Sequence, residues 1–172
     1  MGEKAGKRSR PEELRRFLIK LAAAAVLFSA AFIFVFGLCP VRGNFMHPAV
    51  KDGDLAVTLK LCSYRLGDLA VWKDPENGQL RVSRIAGLPG FEINITEAGE
   101  FMTNGFMPSE EVFYRTDRAE GSGVEYPLLL GEGEYFLLDD RRPAGRDSRL
   151  FGPVKESDLL GKTVFLLRRR GF

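Results

Sequence analysis

Residues 68–95 read DLAVWKDPENGQLRVSRIAGLPGFEINI, and this stretch decides the fold. Three runs rich in β-branched and aromatic side chains, Asp68–Lys73, Leu80–Ala86 and Glu92–Ile95, alternate with two turn-forming segments. The Asn77-Gly78 pair predicts a tight β-hairpin between the first two runs, because both residue types accept the backbone angles of such a turn. The segment Gly87-Leu88-Pro89-Gly90 predicts a second turn. These runs indicate consecutive β-strands.

The same pattern continues on both sides of this stretch. Further strand-like runs are Asp54–Leu61, Glu134–Leu138 and Thr163–Leu167, and Lys155–Leu160 is compatible with a single helical turn. After Pro40 no stretch longer than ten residues has clean helical periodicity. We therefore predict a mainly β domain over residues 40–172.

A membrane-spanning helix is predicted before this domain. Leu21–Cys39 contains nineteen residues without a charge, which as a helix would cover about 28 Å of a hydrocarbon core of about 30 Å. Phe17–Ile19 extend the apolar run, so the predicted helix is 17–39. A cleaved signal peptide has a shorter apolar region ending in small residues of the Ala-x-Ala type, whereas Gly37–Pro40 lacks such a site. These differences favour an uncleaved anchor.

The distribution of charge predicts the orientation of that anchor. Residues 1–20 contain seven basic and three acidic side chains, whereas residues 40–172 carry a net charge of −2. The basic leader, residues 1–16, should remain in the cytoplasm, with the C-terminal domain outside the plasma membrane. The acidic balance of that domain argues against nucleic-acid binding.

Composition also limits the cofactors. One histidine and two cysteines exclude a zinc site with four Cys or His ligands, and we expect no metal or other cofactor. Cys39 and Cys62 are expected to remain separate thiols, since one lies at the membrane boundary and the other at the end of a strand run.

The order of several short motifs resembles bacterial type I signal peptidases, especially the compact Gram-positive type. These are membrane-anchored serine endopeptidases that remove signal peptides from exported proteins. The resemblance covers about residues 17–168. The motifs that carry it are Gly43–Val50, Asp52–Asp54, Gly67–Val71, Arg81–Gly90, Asn104-Gly105, Tyr135–Gly152 and Leu160–Lys162.

The resemblance also shows where this chain departs from the family. Family members use a serine nucleophile directly before Met-x-Pro, a lysine general base directly before the arginine of the Gly-Leu-Pro-Gly segment, and a further serine supporting that lysine. The corresponding residues here are Phe45, Ser83 and Gly145. The family segment Gly-Asp-Asn-Arg is replaced by Asp139–Arg142. No catalytic residue of the family is therefore intact, and we predict an inactive peptidase.

The sequence offers little support for another residue acting as nucleophile or general base in place of the missing ones. His47 occupies the variable position between Met46 and Pro48, where an extended chain would direct it away from its neighbours, so an exposed side chain is expected. Ser83 has no neighbouring lysine that would activate it as a nucleophile.

The resemblance assigns two further groups of residues. The substrate or partner groove would include Gly43, Phe45, Met46, Pro48, Ser83 and Arg84. A structural ion-pair network at its base would include Asp140, Arg142, Asp147, Ser148 and Arg149, rather than a carboxylate pair working by an aspartic-protease mechanism.

Three hypotheses about function follow. Signal-peptidase-like proteins without the catalytic residues are encoded beside Gram-positive pilus genes and assist the polymerisation of pilins by sortases. The first hypothesis is therefore that this chain binds exported precursors or pilins and assists their assembly. The second is an active signal peptidase with an unrecognised nucleophile, and the third is an anchored structural domain without substrate contact.

Overall fold

The computed structural model describes residues 10–108 and 114–169, which form two units, an N-terminal helix and a β domain that begins at Phe36. The helix α1 comprises Arg10–Val35. Its most apolar window has a mean hydropathy of 2.4, so the helix is long and apolar enough to cross a membrane. None of its residues is buried by other described residues, as expected for a helix whose apolar surface would face lipid.

The helix ends earlier than the predicted boundary at Cys39. Phe36–Pro40 forms strand β1 instead, and it pairs antiparallel with β2, Leu55–Leu59. Cys39, opposite Ala56, is buried in the core of the β domain. The sequence could not reveal this change because a short apolar run has no periodicity that separates a helix from a buried strand.

The remaining elements are short. In chain order they are β3 (Leu69–Lys73), β4 (Leu80–Gly87), β5 (Glu92–Ile95), β6 (Phe101–Thr103), β7 (Leu128–Leu129), β8 (Glu134–Leu138), a 3₁₀ turn (Arg142–Ala144), α2 (Ser148–Phe151), β9 (Val154–Lys155), a second 3₁₀ turn (Glu156–Asp158) and β10 (Leu159–Leu167). Two sheets result. The larger has the strand order β1-β2-β10-β3-β4-β8-β9, and the smaller has the order β6-β5-β7.

The prediction of a mainly β domain is confirmed. The hairpin between β3 and β4 has Lys73 opposite Leu80, and Gly78 in its turn has a φ of 69°. The structure differs from the predicted helical turn at Lys155–Leu160. Only Glu156–Asp158 form a turn, which is of the 3₁₀ type, and strand β10 already begins at Leu159. Strands β6, β7 and β9 and helix α2 were not predicted, because elements of two to four residues are too short for a periodic signal.

Both faces of the β3–β4 pair carry buried residues, which positions the candidate site. Val71 and Val82 face one another across the β3–β4 pair and belong to a cluster with Cys39 and Met46. The intervening residues of β3, Ala70 and Trp72, face the opposite side and pack against another cluster. Because side chains alternate along a strand, Arg81 and Ser83 share the face of Trp72.

Candidate functional site

Phe45, which stands where the family has its nucleophile, is held between two neighbours. A Cβ on Gly43 would lie 2.5 Å from the Phe45 Cε2 atom, so the ring rests on the glycine backbone, whose φ of 79° favours glycine. The Arg81 guanidinium carbon lies 4.3 Å from the ring centroid, a cation–π distance. The Phe45 carbonyl oxygen accepts a 2.8 Å hydrogen bond from the Arg141 backbone nitrogen. These contacts fix the half-buried ring in one position.

The crevice beside this ring is nearly filled. It lies between the loop around Phe45 and the start of β4, and its volume is about 10 Å³. A single water molecule needs a cavity of about this size, so an amino-acid residue does not fit there without movement. Its lining residues are Val41, Arg42, Gly43, Phe45, Met46, Leu80, Arg81 and Val82.

Ser83, at the position of the general base, lies in a buried polar network. Its side chain is inaccessible to solvent. The Ser83 hydroxyl donates a 2.6 Å hydrogen bond to Asp139 Oδ1 and accepts a 2.9 Å hydrogen bond from the Trp72 indole nitrogen. Both the donor and an acceptor site of the hydroxyl are therefore engaged within the protein.

Asp139 is the central group of this network. Its Oδ2 atom accepts a 2.9 Å hydrogen bond from the Arg146 backbone nitrogen and lies 3.5 Å from a terminal nitrogen of Arg81. Its own backbone nitrogen donates to Asp147 Oδ2 at 2.9 Å. Burial, followed in importance by the nearby Asp147 carboxylate, raises the pKa of Asp139 to about 7.

The sequence analysis did not assign Asp139 a role in the site. The available signal was its position in the segment Asp139–Arg142, since it replaces the glycine of the family pattern. The structure pairs this substitution with that of Ser83. The Ser83 hydroxyl donates its hydrogen bond to the carboxylate of Asp139.

Gly145, at the position of the supporting serine, faces a closed environment. A Cβ there would lie 2.4 Å from Arg149 Nη2 and 2.7 Å from Asp147 Oδ2. These two side chains form a buried ion pair of 2.9 Å, and Arg149 Nη2 also donates to the Arg142 carbonyl oxygen at 2.7 Å. A side chain at position 145 would therefore require this network to move.

The five residues expected to form one ion-pair network belong to two groups. Asp140 forms a bidentate pair with Arg84, with bonds of 2.7 and 2.8 Å. In the second group, Asp147 pairs with Arg149. Other contacts of this group include a 3.2 Å hydrogen bond from Arg142 to Thr116 and a 2.9 Å hydrogen bond from the Leu137 backbone to the Ser148 hydroxyl.

The residues expected to line a groove are also divided. Gly43, Phe45 and Met46 line the narrow crevice. Ser83 is buried away from that lining, Arg84 is engaged with Asp140, and Pro48 is exposed. His47 is exposed as predicted.

The cysteines are free thiols, as predicted. Burial raises the pKa of the Cys39 thiol, whereas the Cys62 thiol donates to the Leu59 carbonyl oxygen at 3.1 Å. Within residues 10–108 and 114–169, no group of three or more His, Cys, Asp or Glu side chains is arranged to hold a metal ion.

Known proteins resemble this chain over most of its length. The family model described as "Signal peptidase, peptidase S26" matches residues 14–167. Signal peptidase IB of Staphylococcus aureus is 23% identical over 172 residues, covering 90% of this chain and 89% of that protein. Signal peptidase I of Bacillus licheniformis is 30% identical over 159 residues, covering 86% and 84%. A crystal structure of a signal peptidase I from Enterococcus faecalis V583 has 27% identity and a TM-score of 0.47, and covers 60% of this chain and 99% of that chain.

Proposed function

Because this chain belongs to the signal peptidase family, peptidase S26, we propose that it is a membrane-anchored member that binds exported polypeptides without cleaving them. The observation that carries the proposal is the state of the two catalytic positions. Phe45 offers no nucleophilic atom, and the hydroxyl of the buried Ser83 is bonded to Asp139 and Trp72.

Peptide hydrolysis by this family requires a hydroxyl that can reach the substrate carbonyl and a base that can accept its proton. A phenyl ring supplies neither group. The ring also occupies the space next to the crevice, whose volume of about 10 Å³ is too small for an amino-acid residue of a substrate. Removal of a serine nucleophile typically lowers the rate on the order of a millionfold.

A binding function is supported by a strand edge that has no partner. One side of β4 pairs with β3 from Leu80 to Arg84, whereas β8 pairs on the other side only with residues from Arg84 onward. Within the described part of the chain, no strand pairs with Leu80–Ser83 on that side. Such an edge can bind an extended polypeptide by strand addition, with alternate side chains selecting the sequence.

The family implies that the bound polypeptides are precursors with signal peptides. We further propose that the chain retains exported precursors, including pilins, at the membrane and assists their assembly into surface structures by sortases. The basic leader supports a cytoplasmic N-terminus and a single crossing of the plasma membrane, with the β domain outside. Strand addition requires no metal or cofactor.

The test combines cleavage with cross-linking. The detergent-solubilised full chain is incubated with a secreted precursor, and a photoreactive amino acid is introduced in turn at Leu80, beside the free strand edge, and at Leu129, an exposed residue of the smaller sheet. We expect no cleavage and strong cross-linking of precursor from position 80 only. Equal cross-linking from both positions would contradict binding at this edge, and site-specific cleavage would contradict the loss of activity.

One observation favours a second candidate, cleavage with Ser83 as nucleophile. The Asp139 carboxylate lies 2.6 Å from the Ser83 hydroxyl, within the reach of a general base. The burial of Ser83 opposes this function, because a substrate carbonyl must reach the hydroxyl. Precursor cleavage that is abolished in Ser83→Ala would establish the second candidate in place of the first.

A further inference from the structure

The charged side chains that line the Phe45 crevice are both arginines. They are Arg42 and Arg81, and the other lining residues are uncharged. Because the crevice is too small for an amino-acid residue, a polypeptide bound to the unpaired edge of β4 would pass across its opening. Leu80, the first residue of that edge, belongs to the same lining. The side chains of a bound strand would therefore pass close to these arginines.

Arg81 is already engaged within the protein. Its side chain is only 9% exposed, and its guanidinium group covers the Phe45 ring. The same group approaches the carboxylates of Asp74 and Asp139 to 3.7 and 3.5 Å. These two buried carboxylates compensate the charge of Arg81, so this residue contributes little to the recognition of a partner.

Arg42 differs from Arg81 because its side chain is exposed. Within the part of the chain that the structure describes, no carboxylate forms an ion pair with it. Asp52 is the one acidic residue of the same loop, residues 41–53, and its Oδ1 atom accepts a 2.6 Å hydrogen bond from the Gly43 backbone nitrogen. A carboxylate of a partner can therefore approach Arg42 without displacing an existing ion pair.

Arg141 adds a second exposed cation beside the Phe45 loop. Its backbone nitrogen donates a 2.8 Å hydrogen bond to the Phe45 carbonyl oxygen. The neighbouring carboxylate of Asp140 is neutralised by its bidentate pair with Arg84, and Lys51 is a further exposed cation of the loop that carries Phe45. The exposed surface around Phe45 therefore has an excess of positive charge, which favours an anion and disfavours a cation.

We propose that the polypeptide bound at the unpaired edge of β4 is selected for an acidic side chain, an aspartate or a glutamate, that pairs with Arg42. A guanidinium group binds a carboxylate by two parallel charge-assisted hydrogen bonds, which a neutral amide cannot match. This inference rests on the proposed function, because it assigns the specificity of the same edge. An exposed ion pair of this kind should strengthen binding about two- to fivefold.

The test measures photocross-linking of peptides to the full chain in detergent, with the photoreactive amino acid at Leu80. Three short peptides of threonine, serine and valine differ only at the central residue, which is glutamate, glutamine or lysine. We expect the glutamate peptide to reach half-maximal cross-linking at a concentration about two- to fivefold lower than the glutamine peptide, and the lysine peptide to require the highest concentration. Raising the salt concentration from about 0.05 to 0.5 M should reduce this preference, because exposed charges are screened.

Variants assign the preference to one side chain. Arg42→Gln should make the glutamate and glutamine peptides bind equally, and Arg42→Glu should reverse the order so that the lysine peptide binds most tightly. Arg65→Gln removes another exposed arginine, which does not line the crevice, and should keep the preference for glutamate.

The outcomes separate this inference from the proposed function. Saturable cross-linking that is equal for the three peptides would overturn the acidic preference and leave strand addition intact. A preference for glutamate that persists in Arg42→Gln would overturn the assignment to Arg42. Cross-linking that fails to saturate with every peptide would overturn both the inference and the proposed function.

Discussion

The crevice at Phe45 and the cavity at Phe151 lie beside the same β3–β4 hairpin but differ in what fills them. The crevice has a volume of about 10 Å³, and the neighbouring Phe45 ring is covered by Arg81. The cavity, whose lining includes Trp72, Phe151 and Asp158, has a volume of about 430 Å³. The difference teaches that a few side chains can nearly fill the space at Phe45 while the same fold keeps a much larger cavity elsewhere.

The packing around Phe45, Ser83 and Gly145 depends on several contacts acting together. The Phe45 ring contacts the Arg81 guanidinium group, and the Ser83 hydroxyl donates a hydrogen bond to Asp139. The Asp147–Arg149 ion pair fills the space next to Gly145. A contact network of this kind should be strongly non-additive, because each group satisfies another.

The largest expected effect is the restoration of activity by reversion. The threefold variant Phe45→Ser/Ser83→Lys/Gly145→Ser places a lysine beside the Asp139 carboxylate. The carboxylate would keep the lysine charged in an ion pair, so the lysine could not act as a neutral base. Adding Asp139→Gly removes that carboxylate. We expect the fourfold variant to cleave a precursor at least about a thousandfold faster than the wild type, and the threefold variant to remain near the wild type. The measurement is the rate of precursor cleavage in detergent.

Activity of the threefold variant equal to that of the fourfold variant would show that Asp139 does not obstruct reversion. Inactivity of both, with folding intact, would show that further groups such as Arg81 close the site. Thermal melts of each variant provide the folding control.

The buried ion pair beneath Gly145 should have the largest effect on stability. Arg149→Ala leaves the Asp147 carboxylate buried without its partner, so the free energy of unfolding should fall by about 3–5 kcal/mol. Arg115 and Asp117 form a pair with the same sequence spacing at the surface, and Arg115→Ala should cost less than about 1 kcal/mol. Urea unfolding of the two variants measures the contrast, and similar losses would contradict the importance of burial.

A smaller effect is expected in the pH dependence of stability. Because burial raises the pKa of Asp139 to about 7, the folded chain binds more protons at this residue than the unfolded chain between about pH 4 and pH 7. This group therefore lowers stability as the pH rises through that window. Asp139→Asn should remove this pH dependence. The free energy of unfolding of the variant, relative to that of the wild type, should therefore rise by on the order of 2–4 kcal/mol from pH 4 to pH 7. Urea unfolding at both pH values tests this, and a constant difference would contradict it.

The smallest effect concerns the ring that fills the crevice. Phe45→Ala should cost about 1–2 kcal/mol of stability through the loss of packing and of the Arg81 contact. It should also increase precursor cross-linking from position 80, because the crevice beside the free edge becomes wider. Phe45→Leu keeps an apolar side chain and should change cross-linking less. Reduced cross-linking in Phe45→Ala would instead identify the ring as an anchor for the partner.

The sequence predicted the elements whose signals are local. Asn77-Gly78 identified the hairpin, and the uncharged run from Leu21 identified a helix long and apolar enough to cross a membrane. Prediction failed where the same apolar run continued into β1, since its end at Val35 depends on Cys39 packing opposite Ala56 in the β domain. The replacement of the nucleophile by Phe45 was readable because Met46 and Pro48 fix the motif around it.

The sequence by itself therefore determined the apolar helix, the mainly β domain and the residue types at positions 45 and 83. Only the tertiary structure decided which groups those residues contact. The hydrogen bond from Ser83 to Asp139 joins residues 56 positions apart, and the Phe45 ring meets Arg81 from another element. The apolar run of the helix and the turn chemistry are set by neighbouring residues, whereas burial, the raised pKa of Asp139 and the shape of a cavity arise from side chains that only folding brings together.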